Sequence, residues 1–220
     1  MLRVAVAPGR GGVREAGAMD VSAPGGGRLA DAIAAIDAAN ADDPHTIVVD
    51  GVERPKELAH AEMMTRWVRT LAPDCSDLQL IAARAHHLRR WAIPRGSYPK
   101  DRGGYLRWRT ALRRQHAEDV AAIMRDAGYG DADVERVQAI VRKQGLGRDP
   151  EVQVHEDALC LVFLETQFDE LTADLDDDAK MVDILRKTAA KMSPAALEAA
   201  AGLPFSPGGA ALLQRALASA

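Results

Sequence analysis

Apolar residues recur at steps of three and four along most of the chain, and proline, glycine and paired acids separate the segments they mark. Leu29, Ile33, Ile36 and Ala39 predict a first helix from Arg28 to Ala41, stopped at Asp42-Asp43-Pro44. Thr46 to Gly51 predicts a short extended piece and a turn, and Pro55 suits the first turn of the helix that follows. That second helix runs to about Leu71, with Leu58, Met63, Met64 and Trp67 on its apolar side. His60 lies two turns before Trp67, on roughly the same face. Ser76-Asp77 caps a third helix through Leu80, Ile81, Ala85 and Leu88 to Trp91, closed by Pro94. A loop by composition, Ile93 to Gly104, precedes a helix from Tyr105 to about Ala127, and a further helix follows from Asp131 to Lys143. Pro150 opens a long helix through Val154 and Leu161 to Phe168. It is apolar nearly all round between Ala158 and Leu164, which marks it as central. Met181, Ile184, Leu185 and Met192 outline another amphipathic helix, and Ser193-Pro194 starts a short alanine-rich one to about Ala201.

These elements predict an all-α fold, a single helical bundle over residues 28–204. Residues 1–27, rich in glycine and proline, cannot bury enough apolar surface to offset chain entropy and are expected to be a disordered leader. Met19 is an alternative start. Residues 205–220 are expected to be a loosely attached tail, and Asp174 to Asp178 a solvated loop or helix start. The composition agrees: hydrophobic residues make up 47% but aromatics only 4%, which favours helices over a sandwich or barrel. A net charge of −4 points by itself to neither a nucleic-acid nor a membrane-surface protein. No apolar run reaches the roughly 18 residues of a bilayer-spanning helix. Cys75 and Cys160 stand 85 positions apart with no metal or redox spacing, so both read as buried or incidental thiols of a reducing, cytoplasmic setting.

Four of the predicted helices each carry a histidine or carboxylate in an apolar context: His60, the pair His86-His87, His116, and Glu156-Asp157. This order resembles the HD superfamily of helical metal-dependent phosphohydrolases, with 26 residues from His60 to His86 and 70 from His87 to Asp157. The resemblance implies a divalent metal (Mn, Fe or Zn) on His60, His86, His87 and Asp157, with Lys143 falling where that superfamily often places an extra basic residue. The chain departs from the pattern in having His87 where an Asp follows the His. An imidazole there brings no negative charge and moves metal preference away from Mg. Adjacent helical residues point about 100° apart, so the pair can share one ion only where the helix ends or tightens. The alternative is a polar core network in which these histidines hydrogen-bond without metal.

A closer resemblance covers about Ala30 to Pro204. A-A-R-A-H-H-L-R-R-W-A-I-P-R, Y-P-K-D-R-G-G-Y-L-R-W-R, H-E-D-A-L-C-L-V-F-L-E and I-L-R-K-T-A-A-K-M-S-P are similar to the family known as domain of unknown function 4202. That resemblance implies Gln at the position of His86 and supports His87, His116, Glu156 and Asp157 as the family's polar positions.

Between Arg84 and Arg114 lie ten lysines and arginines against one acid, Asp101, with Trp91, Tyr98, Tyr105 and Trp108 interleaved. Guanidinium forks grip phosphate bidentately, so Arg84, Arg89, Arg90, Arg95, Arg102 and Arg109 are candidate phosphate ligands. A small phosphorylated ligand or RNA is the corresponding partner, and nothing marks DNA. The competing reading pairs these arginines with the stretch Glu151 to Asp183, which has eleven acids and only Lys180. Lys191-Met192-Ser193 echoes a synthetase signature without its partner motif, Gly25 to Gly27 open no phosphate-binding loop, and no nucleophile elbow occurs. The expected function is an HD-like metal-dependent phosphohydrolase acting on a nucleotide or similar phosphate ester. In it Glu156 or His116 takes a proton, and Arg89, Arg90, Arg95 or Lys143 neutralises the developing charge. The alternative is a non-catalytic helical module that holds RNA or an anionic ligand on its arginine-rich face.

Overall fold

The computed structural model describes residues 26–168 and 178–218. The expected leader falls outside these, except for Gly26 and Gly27, which open the first helix; all but Asp178 of the acidic run Asp174 to Asp178 also lies outside them. The described chain is almost wholly helical: α1 Gly26–Ala41, α2 Lys56–Leu71, α3 Asp77–Arg84, α4 Arg102–Asp126, α5 Asp131–Val141, α6 Pro150–Thr166, α7 Asp178–Ala189, α8 Pro194–Ala201 and α9 Pro207–Ala218. The expected extended piece is the first half of an antiparallel hairpin, β1 Thr46–Val49 and β2 Val52–Pro55. Asp50 and Gly51, with φ of 52° and 78°, form its two-residue turn, the left-handed geometry that Asp-Gly favours. No helix among the described residues is long and apolar enough to cross a membrane.

Helix α6 organises the core, as its all-round apolar sequence requires. Its N-terminal Val152 joins the cluster built from α1, α3, α4 and α5, including Ile36, Ile81, Val120 and Ile140. Ala158 and Val162 meet Met64, Val68 and Leu80 of α2 and α3. Leu161 and Leu164 pack with Met181, Leu185, Ala196 and Leu212. Leu212 and Ala216 of α9 are buried in that third cluster, so residues 207–218 form a docked helix rather than a loose tail.

Two boundaries differ from the periodicity in ways that matter for the site. Helix α3 stops at Arg84, and Ala85 to Arg89 continue as turns that end with Arg89 in the left-handed region at φ 51°. The apolar spacing through Leu88 persists because Leu88 is fully buried, but burial does not require helical backbone. Helix α4 starts earlier than its apolar positions suggest. The Asp101 carboxylate accepts from the Gly104 amide at 2.5 Å, and Gly104 lies so close to Pro99 that a Cβ there would stand 2.2 Å from the Pro99 carbonyl oxygen.

Candidate metal and anion site

The hairpin delivers the chain to α2 so that Glu57 sits in its first turn. Asp43, stranded between α1 and β1, accepts the Glu57 amide at 3.0 Å through Oδ2 and the His45 amide at 3.0 Å through Oδ1. Glu57 and His60 are three apart on α2 and therefore share a face. The turn after α3 brings His87 to the same point. Glu57 Oε2 lies 3.0 Å from His87 Nδ1 and 3.5 Å from His60 Nδ1, and all three residues offer ligand atoms within 4.8 Å of one another. This is the group of that kind among the described residues, and Glu57 and His60 are 5% and 4% exposed.

The electrostatics suit a cation. Burial by itself would raise the Glu57 carboxyl, but the His87 and His60 imidazoles outweigh it and hold Glu57 well below the usual range. Burial drops His87 to about 4 against the pull of Glu57, so its imidazole is neutral near pH 7, as a metal ligand must be. His60 Nε2 is buried without a partner. One carboxylate and two imidazoles is a donor set used by Zn and by Fe(II). Ligand atoms of a single such ion stand roughly 3–4 Å apart, each about 2.0–2.2 Å from it, a spacing these side chains can meet.

Two hollows adjoin the cluster. An inner cavity of about 310 Å³ is lined by His86, His87 and His116 together with Arg90, Arg109, Arg113, Lys143, Lys191 and Glu156, among others. An outer cleft of about 490 Å³ is lined by Glu57, His60, Asp43, His45, Lys56, Arg90 and Arg95, among others. Arg90 borders both. Its Nη1 lies 3.1 Å from His87 Nε2, its Nε lies 4.0 Å from Glu57 Oε1, and its guanidinium covers the Trp108 ring.

The sequence-predicted residues therefore separate. His60 and His87 join, and Glu57 completes the set. His86 lies beside His87, with ring centroids 4.1 Å apart, but is not in the group: its Nδ1 and His155 Nε2 are hydrogen-bonded at 2.9 Å, and its Nε2 is buried and unpartnered. Asp157 is not in the cluster. Its Oδ1 accepts from the Ser193 amide at 2.9 Å and from Gln153 Nε2 at 3.0 Å, fastening the start of α8 to α6. Glu156 is buried and paired with Lys143, while Lys191 Nζ stands 3.8 Å away. Its carboxylate thus holds cations in place and is not a free base. His116 Nδ1 donates to the Leu88 carbonyl at 2.8 Å, which leaves Nε2 as the lone-pair nitrogen, and burial drops the ring to about 3. Lys143, which ends α5 with φ 59°, lines the inner cavity, and burial lowers its ammonium pKa despite Glu156.

Of the candidate phosphate ligands, Arg109 lines the inner cavity, Arg95 the outer cleft and Arg90 both. Arg84 is committed to Asp37, with bonds of 2.5 and 2.7 Å. Arg89 and Arg102 are exposed and line neither hollow. Arg84, Arg90 and Arg114 face Asp37, Glu57 and Glu118, outside the acidic stretch, whereas Arg113 feels Glu156 of that stretch; residues 169–177 of it lie outside the described residues. Periodicity gave no reason to choose Glu57, but Glu-x-x-His spacing just after Pro55 does. His155 was readable as a histidine on a helix with no polar face.

The fold and site define an almost wholly helical protein with a carboxylate–bis-imidazole cluster beside a cationic cavity. The chain belongs to the family described as Domain of unknown function (DUF4202), whose model matches residues 30–213. No curated protein and no solved structure matches it.

Proposed function

We propose that the protein is a metal-dependent phosphohydrolase of HD-like helical type acting on a phosphate ester. The observation that carries this reading is the Glu57–His60–His87 cluster opening beside a cavity lined by arginine and lysine. A 2-His-1-carboxylate set alone would serve oxygen chemistry as well as hydrolysis, and the cationic lining favours a phosphate substrate. Glu57, His60 and His87 hold the ion, which when bound supplies Lewis acidity toward a phosphoryl oxygen and acidifies water. Arg90 and Lys143 face the phosphate and neutralise charge as it develops. Glu156 fixes Lys143 for that task. His116 Nε2 is the proton acceptor inside the cavity; an anionic ligand beside it raises its affinity for a proton from the low value that burial imposes. The non-catalytic reading keeps the anion and drops the turnover.

The test is metal content and activity measured together. Purified protein reconstituted with Mn, Fe or Zn is expected to bind one equivalent and to hydrolyse members of a phosphoester panel. Glu57→Gln and His87→Ala are expected to lose both. Protein that takes up no metal, or that turns over no phosphoester when loaded, overturns the reading.

A further inference from the structure

The inner cavity carries more positive charge than one phosphate can use. Among the described residues its lining has five cationic side chains and one carboxylate, Glu156, already matched by Lys143. Arg90 faces Glu57. Arg113 is the unexplained group: it is half-buried in the cavity wall, with no hydrogen bond or ion pair among the described residues. Burial, then the neighbouring Arg109 guanidinium, lower its pKa against the pull of the Glu156 carboxylate. A guanidinium partly removed from water, whose nearest carboxylate, Glu156, is already bound by Lys143, is an unfavourable arrangement that a further anion would relieve. Arg109 bonds to the Tyr105 hydroxyl at 3.5 Å and lies over that ring, with no ion pair among the described residues.

These cations form a line. His116, Arg113 and Arg109 lie on the cavity side of α4, and His116 adjoins His87, with ring centroids 5.9 Å apart. From His116 back to Arg109 the helix rises by about 10 Å. That distance exceeds the reach of a single phosphate held at the Glu57–His60–His87 cluster. Lys191, from beyond α7, lines the same cavity, its Nζ 3.8 Å from the Glu156 carboxylate that Arg113 also feels. The lining rings of Tyr105 and Trp108 are already covered by guanidinium groups of Arg90, Arg95 and Arg109, which leaves them poorly placed to stack a base.

We infer that the inner cavity takes a ligand with two linked phosphates, one at the Glu57–His60–His87 end and the second gripped by Arg109, Arg113 and Lys191. This rests on the reading of the site as a phosphate-ester hydrolase, which it deepens by naming the substrate class. The recognised group is the diphosphate itself, whether inorganic or attached to an organic moiety.

Calorimetric titration of the full-length, metal-loaded protein separates the cases, using inorganic phosphate, methylenediphosphonate, AMP and methylene-bridged ADP, the bridged compounds resisting hydrolysis. Both linked pairs are expected to bind at least about tenfold tighter than their single-phosphate counterparts. Arg113→Gln and, independently, Arg109→Gln should each remove about that preference while leaving phosphate and AMP binding unchanged. Similar affinity for methylenediphosphonate and bridged ADP places recognition in the diphosphate alone. Tighter binding of bridged ADP adds a contribution from the organic part, and both results support the inference. Single phosphates binding as tightly as linked ones, or folded arginine variants that weaken every ligand equally or none, overturn it. The same titrations on Glu57→Gln keep this outcome apart from the hydrolase reading: a linked-phosphate preference that survives there, without metal or turnover, upholds the cavity's selectivity while the enzyme proposal fails.

Discussion

Replacing Lys143 by glycine removes a backbone strain and a charge partner at once, and the two effects oppose each other. Lys143 occupies φ 59° at the end of α5, where its amide and that of Gln144 bond back to Ile140 and Ala139. Glycine is the usual residue at such a helix end. The left-handed conformation costs a residue with a Cβ about 1–2 kcal/mol, so the backbone gains from the change. The side chain loses more. Lys143 and Glu156 are 9% and 5% exposed at the side chain, and breaking a buried pair from one side costs about 3–5 kcal/mol. Lys191, at 3.8 Å, offsets part of that. Lys143→Gly is therefore expected to destabilise the protein by roughly 2 kcal/mol, seen as a Tm lower by about 4–8 °C. Adding Glu156→Gln to Lys143→Gly removes the stranded charge and keeps the backbone gain, so the double variant should be clearly more stable than the single one. Thermal and denaturant unfolding of the four proteins of this cycle measure the coupling. A single variant as stable as the parent, or a double variant no better than the single, would refute the account.

Asp149 caps α6 and pairs with Arg136, which chiefly holds its carboxyl at about 2. Its folded pKa lies below the unfolded value of about 3.9, so its contribution is full above that value and is lost as pH falls through about 2. The stability gap between the parent and Asp149→Asn should therefore be constant near neutrality and close in acid; a gap that is unchanged at low pH contradicts this. Asp157→Ala should cost about 1–3 kcal/mol by leaving the Ser193 amide unsatisfied, and metal content should stay unchanged; lost metal would place Asp157 in the ligand set after all. Leu212→Ala should destabilise by about 2–4 kcal/mol because α9 is part of the core, whereas a change of a few tenths in chemical denaturation would mean that the helix is only peripherally attached.

The helical bundle was legible in the chain because helix formation and amphipathic burial follow from spacing within a few turns. The order of helices, the centrality of α6 and the polar character of His60, His87, His116, Lys143 and Glu156 could all be read that way. The composition of the candidate metal cluster could not. His86 and His87 are neighbours in sequence, yet α3 ends at Arg84 and the turns that follow send one ring toward His155 and the other toward Glu57. Asp157 shares a helix with Glu156 but accepts from the backbone amide of Ser193, the residue that caps α8. Glu57 enters the cluster because a hairpin and the Asp43 carboxylate set where α2 begins. Periodicity determines which residues face inward; which inward groups meet depends on where each helix stops and what packs across it, and that is decided only by the tertiary structure.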